Sequence, residues 1–550
     1  MNVHSECLPL SAEVSASSPV PSGEAVPHTS ALFAAYLHDF ARVRAFYPRP
    51  RTPLTWLAEE ARSISYPAER RVAVCGALER QNRVFGSGAR TFENLQRLRR
   101  GACAAVTGQQ VSLFGGPLFA ILKALTAARI ADRATEQGVD CVPVFWLATE
   151  DHDLAEVNHA VLPAGEDLQQ RLTASTQGIP DSPVGQIRFG DEIEPLVAQA
   201  AELLGGEIAD VLRAAYRPGA SFGDAFGRLF AHIFRDAGVI LLDAADSELH
   251  QIAAPLYADA IQRSADLYSR LEARGQALRA GGFHEQVKVS DTSTLLFGMH
   301  EGARKPIHRN PRSQEQYSLG EEELPETELL SRIRRTPDQF SPNVLLRPVV
   351  QDFLLPTLGY VGGPAEVAYF AQAGVVYEAL LGRVTPVLPR LGVTVVEPRI
   401  KRLLDRYQVK VCDAFQSPEQ LRELLGERSL PAELQTNFSI AAANLDALLS
   451  SLTASLSRMD VTLVAAAERA GAKMRYQLEH LRVRAANAEL RRSEVVARHA
   501  AQLSSALYPE RTLQERVIAG VYFLSRYPDL LQQLQQSASL DCVDHQVVFF

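Results

Sequence analysis

From Thr29 to about Arg100, apolar residues recur at helical spacing among many Arg and Glu, which predicts a series of packed helices. A short apolar run, Ala104 to Val106, then enters the polar loop Thr107-Gly108-Gln109-Gln110. The pair Gly115-Gly116 leads through Pro117 into the apolar helix LFAILKAL. A second run, VDCVPVFWL over 139–147, predicts a buried strand that empties into Ala148-Thr149-Glu150-Asp151-His152-Asp153. Strand, crossover helix and strand in that order form a βαβ unit, hence a parallel sheet with right-handed crossover. Further strands are predicted over 238–243 and 344–347 and near 384–387. The intervals of about 161–237 and 281–342 exceed an ordinary αβ connection and predict insertions with their own structure.

The last third changes character. Between Pro431 and Pro509 there is no proline and a single glycine, Gly471. Leu445, Leu449, Leu452, Leu456, Met459, Leu463, Ala466 and Ala470 alternate spacings of four and three, the signature of a coiled-coil seam. After Gly471 the phase slips by one residue and resumes at Met474, Leu478, Leu481 and Ala485. Either an antiparallel pair within one chain or a contact between two chains satisfies this pattern. The fold class expected is therefore α/β, a Rossmann-like parallel-sheet core with connective insertions plus an α-helical coiled-coil domain. Its parts are a disordered tail over 1–29, a core over 30–400, the helical domain over 401–509, and a segment over 510–550 that returns to the core.

Composition narrows the function. A net charge of −8 without a basic stripe gives no nucleic-acid footprint. The start has no apolar leader region, and no later run reads as long enough to span a bilayer. Six scattered cysteines without CxxC spacing indicate neither a thiolate zinc site nor a disulfide framework, and fit unpaired thiols in a reducing cytoplasm.

Chemistry concentrates where predicted strands end. In open α/β sheets, ligands bind beyond the carboxyl ends of the strands. The amides of Gly115 and Gly116, at a helix start, are placed to meet an anion, and Gln109 and Gln110 suit a hydroxyl-rich ligand. Asp151, His152 and Asp153 put a general base beside carboxylates, with Asn158 and His159 following. Lys288, in Gln286 to Thr292, reads either as wall material able to meet a phosphate or carboxylate or as part of a surface strand. Arg347 is the natural carboxylate partner, and a second Gly-Gly-Pro passage, Gly362-Gly363-Pro364, starts another helix.

Together TGQQVSLFGGPLFAILKAL, PVFWLATEDHDLAEVNH, LRPVVQDFLLPTLGYVGGPAEVAYF and LQERV resemble the bacillithiol biosynthesis cysteine-adding enzymes, the BshC family, from about Ala31 to Phe550. The resemblance implies a Rossmann-like core with insertions reminiscent of class I aminoacyl-tRNA synthetases and a coiled coil that makes a homodimer. It implies a cytoplasmic ligase that joins cysteine to the amine of glucosaminyl-malate. Amide formation needs an activated carboxyl, which leaves ATP, another nucleotide or an already activated cysteine open as its source, and the residues identify no metal site. The site it implies comprises Thr107, Gln109, Gln110, Gly115, Asp151, His152, Asn158, Arg347, Gln351, Gly363 and Glu366, to which the reading above adds Gly116, Asp153 and Lys288. The synthetase-type HIGH motif is absent, TGQQ standing in its place. Two alternatives stay open. One is a metal-dependent hydrolase or transferase using Glu150, Asp151, His152, Asp153 and His159; the other is a coiled-coil scaffold with a degenerate nucleotide fold.

Overall fold

The computed structural model describes the chain apart from residues 1–3, 9, 13–25, 166–167, 177, 311–312, 314 and 493. Its centre is built in chain order from β1 (Cys103–Gln109), α1 (Leu118–Glu136), β2 (Cys141–Leu147), β3 (Ile240–Asp243), α2 (Arg347–Leu354), β4 (Thr357–Gly362), α3 (Pro364–Leu381) and β5 (Val387–Pro389). The strands run parallel in the order β5-β4-β1-β2-β3. Alternation along β2 explains how both faces are covered. Phe145 and Leu147 pack into one core with α1, while Val144 and Trp146 pack into the other with α3. Winding proceeds from β1 outward to β3, then returns to the far side at β4. The carboxyl ends of β1 and β4 therefore meet at a topological switch point, where the connections diverge and leave a crevice.

The stretch 344–347 is not a strand. Asn343 Oδ1 accepts from the amides of Leu345 and Leu346, at 3.0 Å each, and turns the chain into α2. The strand expected near 384–387 begins only at Val387, and the segment 286–292 forms no strand. The first insertion carries a hairpin, His159–Ala164 with Leu168–Thr173, and three helices between Ile193 and Ile233. The second carries an antiparallel sheet that includes Ser293–His300, Ala303–Arg309 and Phe340–Pro342.

The tail expected to be disordered begins with a strand, His4–Leu8. It pairs antiparallel with the C-terminal strand His545–Phe549, which in turn runs parallel to Val393–Val396. This pairing brings Cys7 and Cys542 into a disulfide across 535 residues of sequence. The expectation of six unpaired thiols is corrected accordingly, because local spacing carries no trace of so distant a partner. Residues 1–3, 9 and 13–25 of that tail lie outside the described residues.

The helical domain is an antiparallel arm of α4 (Ala432–Met459) and α5 (Thr462–Arg492). The chain reverses at Asp460, whose carboxylate accepts from the amide and hydroxyl of Thr462, both at 2.8 Å. At the apparent phase slip, Gly471 faces Leu449 of the other helix: a Cβ there would lie 3.0 Å from Leu449 Cδ1. Met459, read as a seam position, is 80% exposed because it sits at the reversal. Glu433–Met459 is also long and apolar enough by length and composition to cross a membrane, which corrects the expectation that no run is. Its Ser, Thr and Asn residues break up any continuous apolar run, which is why the sequence pattern did not show it.

Candidate functional site

At the switch point lies a crevice of about 690 Å³. Its walls come from the end of β1 (Gln109, Gln110), the loop after β2 (Glu150, Asp151, His152, Glu156), the start of α3 (Gly363, Glu366) and Arg347 of α2. Phe297 and Arg304 reach in from the inserted sheet, and Arg516 from the C-terminal segment.

The two glutamines are held with opposite polarity. Lys123, one lysine in an otherwise apolar face of α1, is 4% exposed and donates to Gly108 O at 2.9 Å and to Gln109 Oε1 at 2.8 Å. With its oxygen so engaged, Gln109 keeps its Nε2 donors for the crevice. Gln110 is turned the other way: its Nε2 donates to Asp151 Oδ2 at 2.7 Å and Glu156 Oε2 at 3.0 Å, leaving Oε1 as an acceptor. Burial pulls the Lys123 ammonium below the ordinary lysine value, and the contact with Glu366 opposes that. Glu366 also accepts from the Gly363 amide at 2.7 Å and the Tyr360 hydroxyl at 2.5 Å.

Three further arginines differ in how far they are committed. Arg390 is spent on Glu515, at 2.5 Å, and on Leu391 O. Arg347 donates to Gln351 Oε1 at 3.1 Å and Tyr369 Oη at 3.2 Å and lies over the ring of Tyr360, so its guanidinium retains donors for the crevice. The Arg516 guanidinium makes no hydrogen bond or ion pair with the described residues and meets Arg390, Glu515 and Glu156 only through space. The LQERV motif accounts for this placement. Gln514 bonds the backbone of Val395, and Glu515 accepts from the amide of Val393, so both act as plugs against a strand edge. Their neighbour Arg516 is thereby delivered to the crevice.

Of the residues expected in the site, Gln109, Gln110, Asp151, His152, Arg347, Gly363 and Glu366 line the crevice. The others have structural employment. Thr107 is buried and ties β1 to β4 through Val361 O at 2.8 Å. The Gly115 and Gly116 amides donate to Ser112 O and Leu113 O, and the Leu118 amide to Ile518 O, so the expected anion cradle is closed by the chain itself. The α3 start is likewise filled, by Glu366. Asp153 caps a short helix at Glu156, Asn158 closes it, and Gln351 stands behind Arg347. Lys288 is exposed and does not line the crevice. Lys123, Arg304, Tyr360, Tyr369 and Arg516 escaped the sequence reading. Lys123 left a signal, a lone charge in an apolar helix, and Arg516 stood inside a motif already singled out; Arg304 left none.

The acidic cluster is dispersed as well. Glu150 pairs with buried His250 at 3.2 Å, Asp151 organises its own loop, and His159 stands on the hairpin. Among the described residues no group of three or more His, Cys, Asp or Glu side chains converges on a metal-sized point.

Residues 23–391 match the family profile described as "Bacillithiol biosynthesis BshC, N-terminal Rossmann-like domain", and residues 393–550 the corresponding "C-terminal coiled-coil domain". A protein of Koribacter versatilis named "Putative cysteine ligase BshC" is 48% identical over 95% of this chain and 98% of its own length. One of Solibacter usitatus with the same name is 34% identical over the same shares, and one of Geobacillus thermodenitrificans is 28% identical over 86% of this chain and 89% of its own. The chain belongs to the BshC family of bacillithiol biosynthesis.

Proposed function

We propose that the protein is a cytoplasmic cysteine ligase that forms an amide between the carboxyl of cysteine and the amine of glucosaminyl-malate, the last step of bacillithiol synthesis. The observation that carries this reading is the opposite polarity of Gln109 and Gln110 beside the uncommitted donors of Arg347 and Arg516. An aminosugar malate presents an amine and hydroxyls at one end and two carboxylates at the other. Gln110 Oε1 accepts from the amine, Gln109 Nε2 donates to a carbonyl or hydroxyl oxygen, and the arginines take the carboxylates.

An amide does not form from a free carboxylate, so the cysteine carboxyl must be activated, and ATP or another nucleotide is the proposed source. The amides of Gly115, Gly116 and Leu118 are engaged within the chain and hold no nucleotide phosphate, and the bond-forming step starts from a carboxyl already activated. The amine nitrogen bonds to the acyl carbon, the bond from that carbon to the activating group breaks, and the nitrogen gives its proton to the carboxylates on the Gln110 side, Asp151 and Glu156. The exposed apolar positions of the arm, among them Leu448 at 64% and Leu452 at 51%, support a homodimer through α4 and α5.

The test is direct. Purified protein is incubated with cysteine, glucosaminyl-malate and each nucleoside triphosphate in turn, and products are read by mass spectrometry. A cysteinyl adduct dependent on the protein supports the assignment; cells lacking the gene but with unchanged bacillithiol overturn it.

A further inference from the structure

His152 is the residue a sequence reader makes the general base, with Asp151 or Asp153 behind it. The geometry gives it a different neighbour. Arg304, from the strand Ala303–Arg309, is 9% exposed and clamped in plane: its Nε donates to Ser341 Oγ at 2.8 Å and its Nη2 to Pro342 O at 2.7 Å. Its guanidinium carbon sits 3.9 Å from the centre of the Phe297 ring. The nitrogen left over, Nη1, lies 3.2 Å from His152 Nδ1.

A guanidinium has five donors and no acceptor, and it stays charged even where burial lowers its proton affinity. A contact between Nη1 and Nδ1 therefore requires Nδ1 to supply the lone pair, which puts the single ring proton of neutral His152 on Nε2. The competing arrangement, Nδ1–H donating to Asp151, fails on distance. Asp151 Oδ1 is 3.6 Å from Nδ1 and already accepts from the His152 amide at 2.7 Å, while Oδ2 is taken by Gln110. The other charges facing this ring are Glu150, paired with His250, and Asp181, paired with Lys305 at 2.7 Å. Neither replaces Arg304 at Nδ1.

We infer that His152 serves the reaction as a fixed neutral Nε2–H donor, aimed at the oxygen that gains negative charge as the acyl group is transferred, and that Arg304 is the positioning residue that sets this tautomer. In this role His152 belongs with Gln109 as a donor and takes no proton from the amine. The catalytic consequence rests on the ligase reading; the tautomer does not.

Two measurements keep them apart. The full-length protein is labelled with ¹⁵N-histidine, and the His152 ring nitrogens, identified by their loss in His152→Gln, are read between about pH 5.5 and 8. The expected result is the Nε2–H tautomer for the neutral ring, giving way in Arg304→Met to a mixture of the two tautomers; Arg304→Gln, which brings no cation to Nδ1, serves if Arg304→Met does not fold. An Nδ1–H tautomer in the unsubstituted protein overturns the inference whatever the activity. In the ligase assay, His152→Gln, whose side-chain amide keeps a donor but cannot act as a base, is expected to retain activity within about tenfold. His152→Ala is expected to lose about 10²–10³-fold, the usual effect of deleting one such donor. Equal inactivity of both variants, with an acid limb in the unsubstituted pH profile that tracks His152, would restore the base and refute the donor. If the unsubstituted protein makes no cysteinyl product, the ligase reading fails while the tautomer is still decided by the spectra.

Discussion

Lys123 Nζ stands 2.8 Å from Gln109 Oε1 and also holds the carboxylate of Glu366, so one buried ammonium links the end of β1 to the start of α3 across the switch point. Lys123→Met should act on stability and on the site together. It leaves Glu366 buried without its cation, at a cost of about 3–5 kcal/mol, and frees the Gln109 amide to flip. A double variant with Glu366→Gln should regain much of the lost Tm but not the activity. Calorimetry and ligase rates on the same samples separate the two effects.

Arg516 carries no structural partner, so its removal should be felt in binding alone. Arg516→Ala is expected to change stability by less than about 0.5 kcal/mol. The apparent KM for the carboxylated acceptor should rise roughly 10- to 100-fold, the range for a lost hydrogen bond to a charged group. A variant with unchanged KM would remove Arg516 from the site.

Acid should weaken the seam between the core and the C-terminal segment in two steps. His545 is buried, and its burial holds the ring's proton affinity below the ordinary 6.5. The unfolded chain then binds the extra proton, so stability declines as pH falls below 6.5. Burial alone would raise the carboxyl of Glu515, but Arg390 and the Val393 amide outweigh it and keep it below 4.5. Its contribution is complete above that value and is lost as pH falls through the folded-state value. Glu515→Gln should flatten the lower step and His545→Asn the upper one, as followed by urea denaturation at a series of pH values.

Leu449 and Leu452 separate the two kinds of helix contact in the arm. Leu449 is 7% exposed and packs on Gly471, so Leu449→Ala should destabilise the arm by about 2–5 kcal/mol. Leu448→Asp with Leu452→Asp touches only exposed positions. It should convert a dimer to a monomer by light scattering while leaving Tm nearly unchanged. A dimer that survives this pair does not use α4 in this way.

The two Gly-Gly-Pro turns, alike in sequence, should respond differently to alanine. Gly116 has φ +71°, and a Cβ there would lie 2.9 Å from Ser112 Cβ, so Gly116→Ala should cost about 1–3 kcal/mol. Gly363 has φ −76°, and no atom stands within 3.4 Å of where its methyl group would go, so Gly363→Ala should fold normally and obstruct only the crevice. Thermal melts of both variants, with activity measured on the second, test the contrast.

Periodicity alone determined the βαβ start, the buried strands β1 to β3, the presence of two insertions and the helical arm, because burial on a strand or helix face must recur at that element's own period. It also placed the glutamines and the Asp151-His152 pair at strand ends. Where it failed, a hydrogen-bond partner that periodicity does not display had intervened, some close along the chain and some far. Asn343 turned 344–347 into a helix start, the C-terminal strand recruited His4–Leu8, and Ser112, Leu113 and Ile518 consumed the amides expected to bind an anion. The polarity of each crevice side chain was likewise settled from behind, by Lys123 for Gln109, Asp151 and Glu156 for Gln110, and Arg304 for His152. A hydrogen bond acts within about 3 Å in space and is indifferent to separation along the chain. Which residues stand in the site could therefore be read largely from sequence, but what each one offers a substrate was decided by tertiary contacts.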